Sequence, residues 1–156
     1  CVETLYKSIN LWPEIDLVYG DVLQTSAENE DFNENSSGGK LFEHSTYEFS
    51  KENMVKCLPG PMPLWRKNIH DKNGFLNTDI NYADDWEMWL RIVNSGSKFK
   101  KVDEIVGLYY SGGRSFQKDQ VNKVQRNEES KLFFKYSHLF GNNFHAYKPY
   151  FEQFLN

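Results

Sequence analysis

Residues 82 to 91 read YADDWEMWLR. Apolar residues follow the three- and four-residue spacing of one helix face, at Trp86, Trp89, Leu90 and Val93. Asp84 and Glu87 have the Asp-x-x-Glu spacing of a capping box, and Ser95-Gly96 is typical of a helix end. The pattern predicts an amphipathic helix that begins at Asp84 with its apolar face in a core.

Two adjacent carboxylates open this helix. Unpaired backbone donors and the helix dipole favour the ionised form of acidic groups at a helix N-terminus. Because neighbouring helical residues diverge by about 100°, one carboxylate can cap the backbone while the other projects into a cleft. We therefore predict Asp84 as the cap and Asp85 as a free carboxylate, able to act as a base. The alternative is that both residues only cap the helix.

Strand and helix patterns lie on both sides of this segment. Residues 1 to 12 predict an amphipathic helix that ends at Pro13, and residues 15 to 23 predict a strand rich in β-branched and aromatic side chains. Residues 99 to 110 suggest two short strands joined by Asp103-Glu104. These elements predict an α/β fold, a mixed sheet flanked by helices.

The remaining segments contain turn and helix signals. Residues 66 to 72 predict one or two helical turns closed by Asn73-Gly74, with Phe75 turning back toward the core. Residues 117 to 136 lack Gly and Pro and predict a helix. A further helical tail follows to Leu155, with Pro149 inside it.

Composition limits the classes of function. A length of 156 residues suits one domain, and a net charge of −4 gives no basic surface for nucleic acid. Cys1 and Cys57 are too few for a disulfide framework and require no chemical role, so we predict a cytoplasmic location, including the inner face of a membrane. The chain begins without Met inside a predicted helix, and we expect the natural protein to continue upstream.

Two segments flank the acidic pair: GPMPLWRKNIHDKNGF at residues 60 to 75 and VDEIVGLYY at residues 102 to 110. Together with the acidic pair they resemble glycosyltransferase family two. The resemblance covers residues 1 to 116, and residues 60 to 110 carry most of it. It implies a partial GT-A fold, with residues 1–116 as the acceptor-side half of the domain and residues 117–156 as a C-terminal helical extension.

The resemblance also implies roles for individual residues. Asp85 matches the general base of an inverting transferase, which deprotonates an acceptor hydroxyl as it attacks the anomeric carbon of a nucleotide-sugar. Asp84 matches its acidic neighbour at the substrate. Trp65 and Trp86 would then offer apolar faces to a sugar ring. Arg114 stands where the family usually carries a His or another polar residue that reaches the donor diphosphate or its metal. Its guanidinium and the neighbouring glycines can bind phosphate, and a plain exposed turn is the alternative.

This chain departs from the family at two places. Members carry a His beyond the final Tyr of the strand pair, where residues 111 to 115 here read SGGRS, and they bind a divalent metal through an Asp-x-Asp motif that this chain lacks. We therefore expect Mn²⁺ or Mg²⁺ only in the intact protein, none bound by this chain alone, and no activity from the isolated chain. The implied partners are a nucleotide-sugar donor and a glycan or lipid-linked acceptor. Self-association through the edge left by the missing half is a further expectation.

Two alternatives remain open. The chain can be a non-catalytic module for carbohydrate or protein binding, derived from the same fold. It can also be a metal-dependent hydrolase that uses four clustered carboxylates, Asp79, Asp84, Asp85 and Glu87.

Overall fold

The computed structural model describes residues 1–113 and 120–155. Three strands form one mixed sheet in the order β2-β1-β3. The central strand β1 (Leu17–Thr25) pairs antiparallel with the short β2 (Leu64–Trp65) and parallel with β3 (Phe99–Tyr110). The predicted α/β class is confirmed at this level.

Five α-helices accompany the sheet in the described residues. Their bounds are α1 (Val2–Leu11), α2 (Ile69–Asn73), α3 (Asp84–Asn94), α4 (Gln120–Lys135) and α5 (Gly141–Glu152). Short 3₁₀ turns at Glu43–Ser45, Glu52–Val55 and Ser137–Leu139 connect them. Each predicted helix thus has a counterpart, and Pro149 lies inside α5.

Alternate side chains of β1 enter two separate cores. Val18 and Val22 pack with Leu5 and Ile9 of α1 on one face of the sheet. On the opposite face Leu17 and Tyr19 belong to a larger cluster that contains the buried side of α3, with Trp86, Trp89, Leu90 and Val93 all 4% exposed or less. The period-two alternation of a strand therefore places helices on both faces.

The C-terminal helices share this larger core. Leu132 and Phe133 of α4 and Phe151 of α5 belong to the same cluster as Trp86. The ring of Phe133 stacks on that of Phe151, with centroids 4.3 Å apart. The division into domains at residue 116 remains a prediction.

β3 is one strand, so the prediction of two strands at residues 99 to 110 is wrong. Gly20 pairs with Val102, and the next residue, Asp21, pairs with Ile105, so Asp103 and Glu104 bulge out of the ladder. A Cβ on Gly20 would lie 2.6 Å from the Glu104 carbonyl oxygen. The polar pair makes a β-bulge rather than a turn, and glycine is required beneath it.

Phe75 also departs from its prediction. Gly74 ends α2 with φ of 71°, as predicted, but Phe75 is 75% exposed instead of turning toward the core. The buried position is taken by Ile69, and the Phe75 ring stacks on His70 with centroids 4.5 Å apart. Within the described part of the chain, no helix has both the length and the apolar character needed to cross a bilayer.

Candidate active site

The first turn of α3 lies near the carboxyl ends of the parallel strands. Residues 95 to 98 join α3 directly to β3, so the helix runs back along the strand. Gln24 near the end of β1, Tyr109 near the end of β3, and Asp85 all line one cavity. Open α/β sheets bind ligands at this edge.

Asp85 is solvent-accessible within a crowded concave site. Its Oδ1 accepts the N–H of Trp86 at 2.6 Å. Burial among protein atoms raises the pKa of the Asp85 carboxyl, and the charge of Asp84 raises it further, whereas the Trp86 N–H and the Cys57 thiol oppose the increase. A carboxylate with a raised pKa is a better proton acceptor, as a general base requires.

The predicted capping box at Asp84 and Glu87 is wrong. The helix begins at Asp84 itself, its N-cap residue is Ala83, and no side chain of the N-cap bonds to the helix. Glu87 is 3% exposed and accepts hydrogen bonds from Arg91 at 2.9 to 3.2 Å. An ion pair between Glu87 and Arg91, one turn along the helix, takes the place of the reciprocal cap.

A carboxylate from another helix binds the segment that leads into α3. Glu128 of α4 accepts the backbone N–H groups of Asn81 at 2.9 Å, Tyr82 at 2.9 Å and Ala83 at 3.3 Å. These donors immediately precede α3. The entry to the helix that carries Asp85 is thus tied to α4.

The first cavity, called here the polar cavity, has a volume of about 430 Å³. Residues from the strand ends, the loop at 43 to 61, α3 and α4 line it, including His44, Cys57, Tyr82, Asp85, Gln125 and Glu129. Burial lowers the pKa of His44 and raises that of Cys57, and the Asp85 charge raises the Cys57 pKa further. Both shifts favour the neutral forms of these side chains.

Helix α4 supplies the fixed polar wall of this cavity. The Glu129 carboxylate accepts the Gln125 amide at 2.8 Å and Arg126 Nη1 at 2.9 Å. The carbonyl Oε1 of Gln125 is buried with no hydrogen-bond partner in the described chain. A buried acceptor without a partner is unfavourable, so a donor from water or a ligand is expected there.

The second cavity, called here the aromatic cavity, has a volume of about 510 Å³. Its wall includes Trp65, His70, Phe75, Leu76 and Trp89. Trp65 Nε1 donates to His70 Nε2 at 3.0 Å, which fixes the indole at the surface with 36% of it exposed. Exposed, oriented rings of this kind present apolar faces to a ligand.

Asp85 lies where the two cavities meet. The polar cavity and the aromatic cavity share three wall residues: Gly60, Pro61 and Asp85. A ligand in either cavity can therefore approach the same carboxylate.

The other predicted site residues have different positions. Asp84 is half-buried beside Asp85. Trp86 is 4% exposed, and its Nε1 donates to the Met54 carbonyl at 2.9 Å, so it borders the polar cavity as part of the core rather than as a free stacking face. Arg114 lies outside the described residues.

The sequence of α4 contains a signal for the polar cavity, in polar residues that continue the buried stripe of the helix. Leu132, Phe133 and Tyr136 form the buried stripe of this helix. Extending that stripe backward by three and four residues gives Glu129, Glu128 and Gln125. Polar residues on the inward face of a helix indicate a site or a buried network.

The described part of the chain does not bring together the side chains of a metal centre. No group of three or more His, Cys, Asp or Glu side chains there has the arrangement of a metal site. Glu87 faces Arg91 in the interior instead of joining Asp84 and Asp85. The geometry therefore does not support the hydrolase alternative.

The raised pKa of Asp85 predicts a cost in stability at neutral pH. The folded chain holds this proton more tightly than the unfolded chain, so the group favours folding below its ordinary pKa and loses that contribution as pH rises through the folded value. We expect Asp85→Asn to be more stable than the parent at pH 7. The difference should shrink toward pH 3. Urea unfolding at both pH values measures it, and a constant difference would contradict the assigned shift.

No protein-family model matches this chain, and no curated protein matches it either. The similarity to glycosyltransferase family two is therefore a resemblance of motifs.

Proposed function

We propose that the chain forms the acceptor side of an inverting glycosyltransferase of the GT-A type, with Asp85 as the general base. The observation that carries the proposal is the position of the Asp85 carboxylate on the wall shared by the polar and aromatic cavities. A base on this shared wall can deprotonate an acceptor hydroxyl bound in one cavity while that hydroxyl faces the anomeric carbon of a donor bound in the other.

The two cavities suit different halves of the reaction. An acceptor sugar would rest on the rings of the aromatic cavity, with one hydroxyl directed at Asp85. The transferred sugar would occupy the polar cavity, where Gln125 Oε1 can accept a hydrogen bond from one of its hydroxyl groups. Binding both molecules at fixed positions converts a bimolecular reaction into an effectively unimolecular one.

The chemical step is a single displacement. The acceptor oxygen forms a bond to the anomeric carbon while the bond from that carbon to the nucleotide diphosphate breaks. The proton of the acceptor hydroxyl passes to the Asp85 carboxylate, and the bonding electron pair leaves with the diphosphate. Attack from the face opposite the leaving group inverts the anomeric centre.

The described residues do not account for charge neutralisation of the diphosphate, and Arg114, a predicted diphosphate-binding residue, lies outside them. The described residues do not offer a ligand set for the divalent metal that the resemblance implies. We therefore propose that the metal and the nucleotide are bound by the half that the resemblance implies and these residues lack. No step assigned to this chain passes through that metal.

A non-catalytic carbohydrate-binding module is the second candidate. The exposed rings of the aromatic cavity favour it, because they need no chemistry to bind a sugar. Asp85→Asn separates the two candidates when it is made in the protein that joins this chain to its nucleotide-binding half. It should greatly reduce the rate of transfer and preserve sugar binding if Asp85 is the base, and the absence of transfer from the parent protein would favour the module.

Phe75→Ala tests the assignment of the aromatic cavity. Phe75 is 75% exposed, so the substitution should leave stability nearly unchanged. Loss of one ring contact worth about 0.5–1.5 kcal/mol should raise the acceptor KM about 2- to 10-fold with kcat retained. Val2→Ala is the matched control, since Val2 is 69% exposed on α1 across the sheet. An unchanged acceptor KM in Phe75→Ala would contradict the assignment.

A further inference from the structure

One carboxylate of α4 collects three consecutive backbone donors ahead of the candidate base. Glu128 Oε1 accepts the N–H of Asn81 at 2.9 Å, and Oε2 accepts those of Tyr82 at 2.9 Å and Ala83 at 3.3 Å. The Asn81 side-chain amide also approaches Oε1 at 3.4 Å. Asp85 follows only two residues after the last of these donors.

Glu128 fixes the segment that leads into α3, in a helix that has no side-chain cap of its own. A short polar side chain at the N-cap ordinarily binds a donor of the first turn and fixes the start of a helix. In α3 the N-cap residue is Ala83, which has no such group. Hydrogen bonds to an ionised carboxylate are stronger than those between neutral groups, so Glu128 can hold residues 81 to 83 in place from a different helix.

The same face of α4 also builds the polar cavity. Gln125 and Glu129 lie three residues before and one residue after Glu128, and both line the cavity. Below them Leu132 and Phe133 fix the helix in the core. The position of α4 therefore sets both the cavity wall and the segment from which Asp85 projects.

We propose that Glu128 is a positioning residue that holds the segment 81–83, and through it the Asp85 carboxylate, against the polar cavity. The catalytic part of this inference rests on the proposed function, whereas its structural part does not. Without the Glu128 carboxylate, the three amides are free to turn toward water, and Asp85 moves with them.

The test compares Glu128→Ala with Glu128→Gln in the 156-residue chain. Glu128→Ala removes every acceptor, so amide hydrogen exchange at residues 81 to 83 should accelerate. The pKa of Asp85, followed by its carboxyl carbon shift, should fall toward its ordinary value because the opened segment admits water; Asp84 and the Cys57 thiol, the other ionisable groups at Asp85, are unchanged. Glu128→Gln keeps one acceptor oxygen and should lie between Glu128→Ala and the parent in both measurements.

In the protein with both halves, Glu128→Ala should lower kcat about 10- to 100-fold, the range expected for misplacement of a reacting group by up to about 1 Å. The acceptor KM should change less than twofold. Glu152→Ala is the control, since Glu152 is an exposed glutamate paired with Lys148 on α5. It should match the parent in every measurement.

Two results would overturn the positioning role. One is unchanged exchange at residues 81 to 83 with an unchanged Asp85 pKa in Glu128→Ala. The other is a uniform increase of exchange across the whole chain in both variants, which would show a general loss of stability. If instead the local changes occur and Asp85→Asn transfers sugar at the parent rate, the proposed function fails while the structural role of Glu128 stands.

Discussion

Asp85→Asn should reduce sugar transfer about 100- to 10,000-fold in the protein that joins this chain to its nucleotide-binding half, the range that a positioned general base contributes. Asn preserves size and still presents an oxygen to the Trp86 N–H, which Asp85 now binds at 2.6 Å. The Asn amide cannot take up the proton of the attacking sugar hydroxyl. The loss should therefore fall on kcat, with little change in the acceptor KM.

The matched control for this measurement is Asp103→Asn. Asp103 is an exposed aspartate in the bulge of β3, so the variant makes the same change of charge away from both cavities. Initial rates with saturating donor and varied acceptor give kcat and KM for both variants. Equal transfer by Asp85→Asn and the parent would exclude Asp85 as the base.

Arg91→Ala should destabilise the chain by about 3–5 kcal/mol, the usual consequence of removing one partner of a buried ion pair. Glu87 is 3% exposed, and its carboxylate is held chiefly by the Arg91 guanidinium at 2.9 to 3.2 Å. Arg91 also donates to the Phe75 carbonyl at 2.8 Å, so the segment after α2 loses a contact as well. Urea unfolding of parent and variant measures the difference.

A second substitution identifies the cause. Arg91→Ala leaves the buried Glu87 charge with weaker partners, the Tyr136 hydroxyl at 3.3 Å and Lys135 Nζ at 3.8 Å. Combining it with Glu87→Gln removes that charge, so the double variant should recover part of the lost stability. Lys7→Ala, which breaks an exposed pair with Glu3 at the same helical spacing, should have only a small effect. A loss for Arg91→Ala no larger than that for Lys7→Ala would show that Glu87 does not depend on this pair.

Local patterns were sufficient for most elements of the fold. α1 and α3 follow from spacings of three to four residues, because a single apolar face determines each of them. β1 follows from its β-branched and aromatic side chains, which suit a strand buried on both faces. The bulge in β3 did not follow, because Asp103-Glu104 suits a hairpin turn as well as an extra pair in a ladder. Only the contact with Gly20 of a distant strand distinguishes the two.

The candidate site was only partly visible in the sequence. Asp85 and Trp65 were predicted from their motif, and both line cavities. The capping-box prediction was wrong because Glu87 has two possible partners, the backbone N–H at the helix start and the Arg91 guanidinium one turn later. The guanidinium offers more hydrogen bonds. Glu128 was missed because three amides from a segment 45 to 47 residues away define its function.

The close approach at Gly20 also affects the polar cavity, whose wall includes residues near the ends of β1 and β3. Any displacement of β1 along β3 would bring a larger residue under the bulge. Even a Cβ atom added to Gly20 would lie only 2.6 Å from the Glu104 carbonyl oxygen. Steric exclusion thus permits one alignment of two strands that are far apart along the chain. That alignment pairs Gln24 with Tyr109, and both residues lie on the wall of the polar cavity. A steric contact at one glycine therefore determines which residues of the two strands meet at that wall.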